Sequence, residues 1–207
     1  DESESRGLGD VYKRQAELLS MQHRGVALRG EQQADFNRTS ERMAALSTGF
    51  SNHVLDATQT WSLVIQERAQ LNGVPERALE ILAAAAKDSG DLAADGAEPS
   101  AAEGPWRLGL DMPRYIPVVT HAKDRNLREA VYKAHVSRAS IGDLDNAPLI
   151  EEILQLRREQ ATRLGYANWA ELSLASKMAD DVPAVESLLE ELRASAMPVA
   201  QKELQEL

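Results

Sequence analysis

Apolar residues recur at helical spacing along most of the chain. Between residues 30 and 58, spacings of three, four and seven place one set on a single face of a long helix: Phe36, Met43, Leu46, Phe50 and Val54. Similar patterns predict helices over residues 75–87, 124–138 and 146–165. The hydrophobic pattern therefore predicts a mainly α fold.

Polar residues and prolines indicate where several of these helices begin or bend. Asp124 and Asn146 stand where a side-chain N-cap is expected, and Asn168 has a glutamate three residues later, as in a capping box. A brief helix is predicted over residues 113–119, and Pro117 is expected to limit its length or to place its start later. Pro198 predicts a kink in the last helix, near residue 194.

Two short stretches change from helical spacing to an alternating pattern. Residues 60–66 and 106–111 alternate large apolar and polar side chains, which is typical of strands. A single strand leaves backbone donors and acceptors without partners, so we expect the two to pair as a small antiparallel ribbon. Residues 88–105 between them are rich in Gly, Ala, Ser and acidic residues and predict a loop.

The two ends of the sequence are unlike the ends of a complete domain. Residues 1–14 show neither helical nor strand periodicity and are predicted to be an unassigned tail, and the first residue is Asp1 rather than Met. The last apolar stripe continues to Leu207 without a Gly or Asn cap. We therefore expect this sequence to be a piece of a longer protein.

Composition excludes several classes of function. The chain has 207 residues, with 23 Lys and Arg against 33 Asp and Glu, so its net charge of −10 argues against nucleic acid as a partner. No uncharged apolar run approaches the roughly 18 residues of a membrane span. Because the chain has no cysteine, disulfides, thiolate metal sites and a thiol nucleophile are excluded.

The histidines are the first candidates for metal ligands or general bases. There are four of them: His23, His53, His121 and His135. No pair has the spacing of four that places two imidazoles on one helical face. His135 lies on an apolar helix face and is predicted to be a packed, hydrogen-bonded residue. A zinc site formed wholly within this chain is not expected.

Other charged residues give no catalytic constellation. Glu151-Glu152 and Glu190-Glu191 are predicted on solvated helix faces, and Asp143 and Asp145 flank a turn. Arg157-Arg158 could bind an anion, although the nearby Glu151-Glu152 pair offers simpler ion-pair partners. The chain contains neither a Gly-x-Ser-x-Gly elbow nor a phosphate-binding loop. The residues alone therefore predict no catalytic, cofactor-binding or metal residue.

Four stretches, in order, resemble the zinc-dependent oligopeptidases of peptidase family M3, and most closely the oligopeptidase A branch. They are residues 50–58 (FSNHVLDAT), preceded by 31–33 and 40–42; residues 110–118 (LDMPRYIPV), followed by 126–129 and Tyr132; residues 138–140 (RAS) with 145–146; and residues 164–179 (LGYANWAELSLASKMA), the most specific stretch. The resemblance runs from about residue 25 to Leu207 and does not include residues 1–14.

The resemblance implies a fold and a domain division. The fold would be a helical lobe like that of neurolysin and thimet oligopeptidase, with one short two-stranded antiparallel ribbon. Residues 15–122 would form the N-terminal helical domain, and residues 123–207 would be the start of a truncated peptidase catalytic domain. The family binds its zinc through His-Glu-x-x-His and a further Glu. No position here matches that motif, so no catalytic or metal residue is carried over.

The resemblance also implies a function. We expect the full-length parent to be a cytoplasmic zinc metallo-oligopeptidase that cleaves short peptides, and this piece to form channel wall and scaffold without binding zinc itself. Neither nucleic acid nor a membrane is expected as a partner. Two alternatives stay open at this point: a stand-alone helical interaction module, and a fragment of a related peptidyl-dipeptidase.

Overall fold

A computed structural model describes the backbone of residues 2–206 and the side chains of residues 13–206. Within that range it contains α1 (Glu2–His23), α2 (Gly30–Thr60), β1 (Leu63–Ile65), a short 3-10 helix (Arg68–Leu71), α3 (Glu76–Asp88), β2 (Trp106–Leu108), α4 (Met112–His121), α5 (Arg125–Val136), a second 3-10 helix (Gly142–Leu144), α6 (Ala147–Arg163), α7 (Trp169–Leu174) and α8 (Val182–Glu206). The predicted mainly α fold with one two-stranded antiparallel ribbon is confirmed.

The contacts between residues divide the chain into two compact units. The first unit comprises the chain up to Ala45 together with the chain from Glu151 onward, and the second unit is Leu46–Ile150. The predicted division between residues 122 and 123 falls inside the second unit, and it stays a prediction. No helix in the described part of the chain has both the length and the hydropathy that crossing a membrane requires.

The second unit contains a hydrophobic core built from short elements. α3 supplies one apolar face, on which Leu79 and Leu82 are inaccessible to solvent or nearly so. Other elements complete this core with Leu71, Trp106, Leu108, Tyr115, Val118, Leu127 and Val131. Because α4 and α5 pack into the same core as the ribbon, the core continues through residues 122–123 without a break.

The ribbon pairs as predicted but is shorter than the alternating pattern. β1 and β2 are antiparallel, with Leu63 opposite Leu108, and each strand has three residues. Gly104, with a φ of 70°, lies against the ring of Trp106, where a Cβ would come within 2.6 Å of a ring carbon. Arg107 ties the preceding loop to the ribbon, because its Nε and Nη2 donate to the carboxylate of Asp91 at 2.6 and 2.5 Å.

The first unit buries fewer side chains. Its buried residues within the described range are Gly25, Phe36, Thr39, Gln160, Ala161 and Leu172. Polar contacts join α6 to the first half of α2. The Arg163 guanidinium donates to Thr39 Oγ1 at 2.7 Å, and Gln160 Nε2 donates to Ser40 Oγ at 3.3 Å.

Two helices extend further than the sequence pattern predicts. α1 runs back to Glu2, so residues 2–14 are helical although they show no helical periodicity; their assignment as an unassigned tail stays a prediction, and Asp1 lies outside the described residues. Extending an existing helix costs less than nucleating one, and residues 13–23 can start it without an apolar stripe upstream. α4 also continues through Pro117, because Tyr115 and Val118 bury its inner face and offset the lost backbone hydrogen bond. The structure keeps α8 helical past Pro198, and the kink stays a prediction.

Truncation of Leu79 should destabilise the second unit. Leu79→Ala removes a side chain with no exposed surface and should lower the free energy of unfolding by about 2–5 kcal/mol, because the core cannot close around the cavity. Urea unfolding followed by tryptophan fluorescence measures this. Ile81→Ala, on the exposed side of the same helix, should cost less than about 1 kcal/mol; equal losses would contradict the described core.

Candidate functional site

The histidines do not form a shared site. Within the described part of the chain, no three His, Asp or Glu side chains are grouped so that they could hold a metal ion. His23 lies at the end of α1, where its Nε2 is 2.9 Å from the Tyr166 hydroxyl and the two rings meet edge-on. His121 is exposed at the end of α4. The absence of catalytic and metal residues stays a prediction.

Asn146 connects the start of α6 to α2. Its side-chain Nδ2 donates to the carbonyl of Phe50 at 3.1 Å, and its Oδ1 is 2.9 Å from Nδ1 of His53. Because the amide oxygen faces His53, Nδ1 of that imidazole carries the hydrogen. Asn146 is 3% exposed, so both partners matter energetically.

The prediction that Asn146 caps α6 is therefore right about its position and wrong about its side chain. The Asn146 carbonyl accepts the first helical hydrogen bond, from Ile150 N at 2.9 Å. The neighbouring residue supplies the side-chain cap instead, since Asp145 Oδ1 accepts from Ala147 N at 2.9 Å. The amide of Asn146 is thereby free to bind α2.

The segment between α5 and α6 is fixed at both ends and borders a cavity. Arg138 donates to the carbonyl of His135 and to Thr58 Oγ1, at 2.9 and 3.1 Å. Ala139 has a φ of 51°, unusual for a residue with a side chain, and its carbonyl accepts from the backbone of Asn146. The cavity beside this segment has a volume of about 560 Å³. Its lining includes Trp61, Leu110, Arg138, Ile141 and Leu144.

His135 is packed, as predicted, but its ring is not fully hydrogen-bonded. The imidazole stacks on Tyr115 with ring centres 4.0 Å apart, and its buried Nε2 has no hydrogen-bond partner among the described residues. Burial, and to a smaller extent the positive charge of Arg138, lower the pKa of His135 from its ordinary value. Both effects favour the neutral form of the imidazole, which suits a packing role.

The carboxylates and arginines pair in ways that the sequence did not indicate. Glu152 binds Arg42, 110 residues earlier in the chain, through two contacts of 2.6 and 2.7 Å, rather than Arg157 or Arg158. This pairing raises the pKa of Arg42 and lowers that of Glu152, chiefly through the hydrogen bond. The Arg157 guanidinium lies 5.2 Å from the centre of the Trp169 ring.

The remaining acidic candidates are exposed, and one of them pairs within its own helix. Glu190 binds Arg193 on the exposed side of α8, and the hydrogen bond lowers the pKa of Glu190. Glu191, Glu151 and Asp143 are exposed. The predicted solvated faces are thus confirmed for Glu151, Glu190 and Glu191, while Asp143 lies within the 3-10 helix Gly142–Leu144.

Comparison with known proteins shows a consistent relationship. Residues 118–207 match the sequence model of peptidase family M3. Over 183 residues, which is 88% of the chain, the sequence is 43% identical to the probable cytosolic oligopeptidase A of Arabidopsis thaliana, of which it covers 25%. The organellar oligopeptidase A of the same plant is 44% identical over 88% of the chain and 22% of that relative. Oligopeptidase A of Escherichia coli is 40% identical over 88% of the chain and 26% of that relative. The chain therefore spans about a quarter of the length of the curated relatives that it matches.

The hydrogen bonds of the Asn146 side chain should contribute more to the free energy of unfolding than the neighbouring cap formed by Asp145. Asn146→Ala leaves the Phe50 carbonyl and the His53 imidazole without their buried partner and should lower the free energy of unfolding by about 1–3 kcal/mol. Asp145→Ala, which removes the more exposed cap, should cost about 1 kcal/mol or less. Urea unfolding at neutral pH measures both losses. A larger loss for Asp145→Ala would show that the assignment of the two side chains is wrong.

Stability should depend on the protonation of His135. Its pKa is lowered in the folded chain, so between the folded and unfolded pKa values the unfolded state binds more protons. The contribution of neutral, packed His135 to the free energy of unfolding is present above the ordinary pKa of about 6.5, and it is lost as the pH falls below that value. His135→Gln should reduce the loss of unfolding free energy between pH 7.5 and 5.5, measured by urea titration. His121→Gln, at an exposed position, should leave the loss unchanged, and identical behaviour of the two variants would refute this role.

Proposed function

Because this chain is an M3 oligopeptidase A-like sequence, we propose that it is part of a zinc-dependent metalloendopeptidase that hydrolyses short peptides. The observation that carries the proposal is the identity of 40–44% to three oligopeptidases A, extended over 88% of the chain. Identity of this degree over a mainly α chain supports a common fold and a common reaction class. The coverage of about a quarter of each relative supports the assignment to one part of such an enzyme.

We assign two portions of the enzyme to this chain. Residues 15–122 form the N-terminal helical domain with its ribbon, and residues 123–207 form the start of the catalytic domain. The match to peptidase family M3, which begins at residue 118, supports a boundary in this region.

The role of this part is to form channel wall and scaffold. Its described polar contacts hold elements together: Asn146 binds α2, and Arg42 binds Glu152. The described donor set does not fit zinc, because His23 and His53 each face a polar partner and no group of ligands comes together. We therefore place the zinc ligands of the parent protein, in a His-Glu-x-x-His motif, outside this chain.

Bound zinc would supply a nucleophilic water at neutral pH and polarise the scissile carbonyl. The residues of this chain would hold neither the metal nor that water. We propose the cytoplasm as the location of the parent, supported by the name of the plant cytosolic relative. Peptides are the proposed partners, and neither nucleic acid nor a membrane is.

A peptidase assay on the purified chain tests the division of roles. We expect no cleavage of a fluorogenic peptide with or without added zinc, and no stoichiometric zinc by elemental analysis, because the described residues form no metal site. Escherichia coli oligopeptidase A in the same assay is the positive control. Zinc-dependent turnover by the chain would overturn the scaffold role. A parent gene without His-Glu-x-x-His beyond the codon for Leu207 would overturn the assignment to a zinc peptidase.

A further inference from the structure

α8 presents an apolar face that its own unit leaves uncovered. Leu188, Leu189, Leu192 and Val199 recur at helical spacing, and each is between 56% and 59% exposed. No residue of this helix of 25 residues is buried. An apolar stripe of this length ordinarily covers a core, and a large exposed patch of this kind marks an interaction surface.

The helix is held in place at one end by a short neighbour. α8 contacts α7, a helix of six residues, within the same unit. Intrahelical ion pairs stabilise α8: Arg193 binds Glu190 at 2.6 Å, and Lys202 is 3.8 Å from Glu206. Both cations of α8 thus have partners on the helix itself, while its leucines remain exposed.

The charges beside the apolar face indicate what kind of surface would cover it. α8 carries five glutamates, Glu186, Glu190, Glu191, Glu203 and Glu206, and both of its cations are paired with two of these. A second copy of this helix would bring glutamates against glutamates, in a chain whose net charge is already −10. An apolar surface flanked by Lys or Arg is complementary.

We propose that the apolar face of α8, formed by Leu188, Leu189, Leu192 and Val199, is the docking surface for the rest of the M3 peptidase, which meets it with an apolar face flanked by basic residues. The inference rests on the proposed function. Two observations point to this occupant. The family match at residues 118–207 includes the whole of α8, and the relatives carry about three quarters of their length outside the aligned region.

A comparison of the isolated chain with a full-length enzyme tests the proposal. In the full-length form, this chain replaces the aligned segment of Escherichia coli oligopeptidase A. Leu192→Glu is made in both forms. Gln201→Glu is the matched control, because nine residues at about 100° per residue place it on the opposite side of the same helix. Thermal unfolding followed by circular dichroism measures stability.

In the isolated chain, Leu192→Glu should shift the melting temperature by about 1 °C or less, because the side chain is exposed there. In the full-length chimera the same change should lower it by about 5 °C or more, because a charge is placed against a buried apolar surface. Gln201→Glu should have little effect in either form. Equally small effects of Leu192→Glu in both forms would overturn the proposal.

Two further measurements keep the outcomes distinct. If the chimera does not fold, glutamate at the position aligned with Leu192 in unmodified Escherichia coli oligopeptidase A gives the same comparison, with the position aligned with Gln201 as control. Sedimentation equilibrium of the isolated chain should show a monomer; a dimer that Leu192→Glu dissociates would make a second copy the occupant and overturn the proposal. A folded chimera that shows the expected stability contrast but cleaves no peptide would count against the proposed function and not against this docking surface.

Discussion

Trp106 has no exposed surface, and the residues around it in sequence attach the ribbon and the loop before it to the core of the second unit. Gly104 permits the close approach of the loop to the indole ring, and the indole nitrogen donates to the carbonyl of Ala101. The next residue, Arg107, binds Asp91 at the other end of the same loop. Burial of one large aromatic side chain thus positions the ribbon and orders the long loop before it.

The sequence predicted the elements whose causes are local. The helices predicted over residues 75–87 and 124–138 are present because their apolar residues, among them Leu82 and Val131, cover the core that the structure shows. The ribbon followed from alternation and from the need of a strand for a partner, and Leu63 does face Leu108. α1 and the continuation through Pro117 were missed, because helix extension and tertiary packing outweigh the local signals on which the prediction was based.

The polar contacts were less predictable because their partners are distant in sequence. Arg42 and Glu152 are 110 residues apart, and Asn146 and His53 are 93 residues apart. The spacing of neighbouring residues in the sequence therefore cannot indicate either pairing. Asn146 was assigned to a cap by its residue type, and only the structure shows that Asp145 takes that role. Histidine spacing did indicate that the four imidazoles would not share a helix face, and the resemblance over residues 164–179 indicated the family.

The division of the chain into two units has a consequence for biosynthesis. The second unit, Leu46–Ile150, is continuous in sequence, so its contacts can form as soon as α6 begins to leave the ribosome. The first unit combines residues up to Ala45 with the segment from Glu151 onward. The hydrogen bond from Arg163 to Thr39 therefore cannot form until Arg163 has been synthesised. Residues up to Ala45 therefore stay in an incomplete unit until the segment from Glu151 onward has been synthesised, although the second unit can already have folded by then.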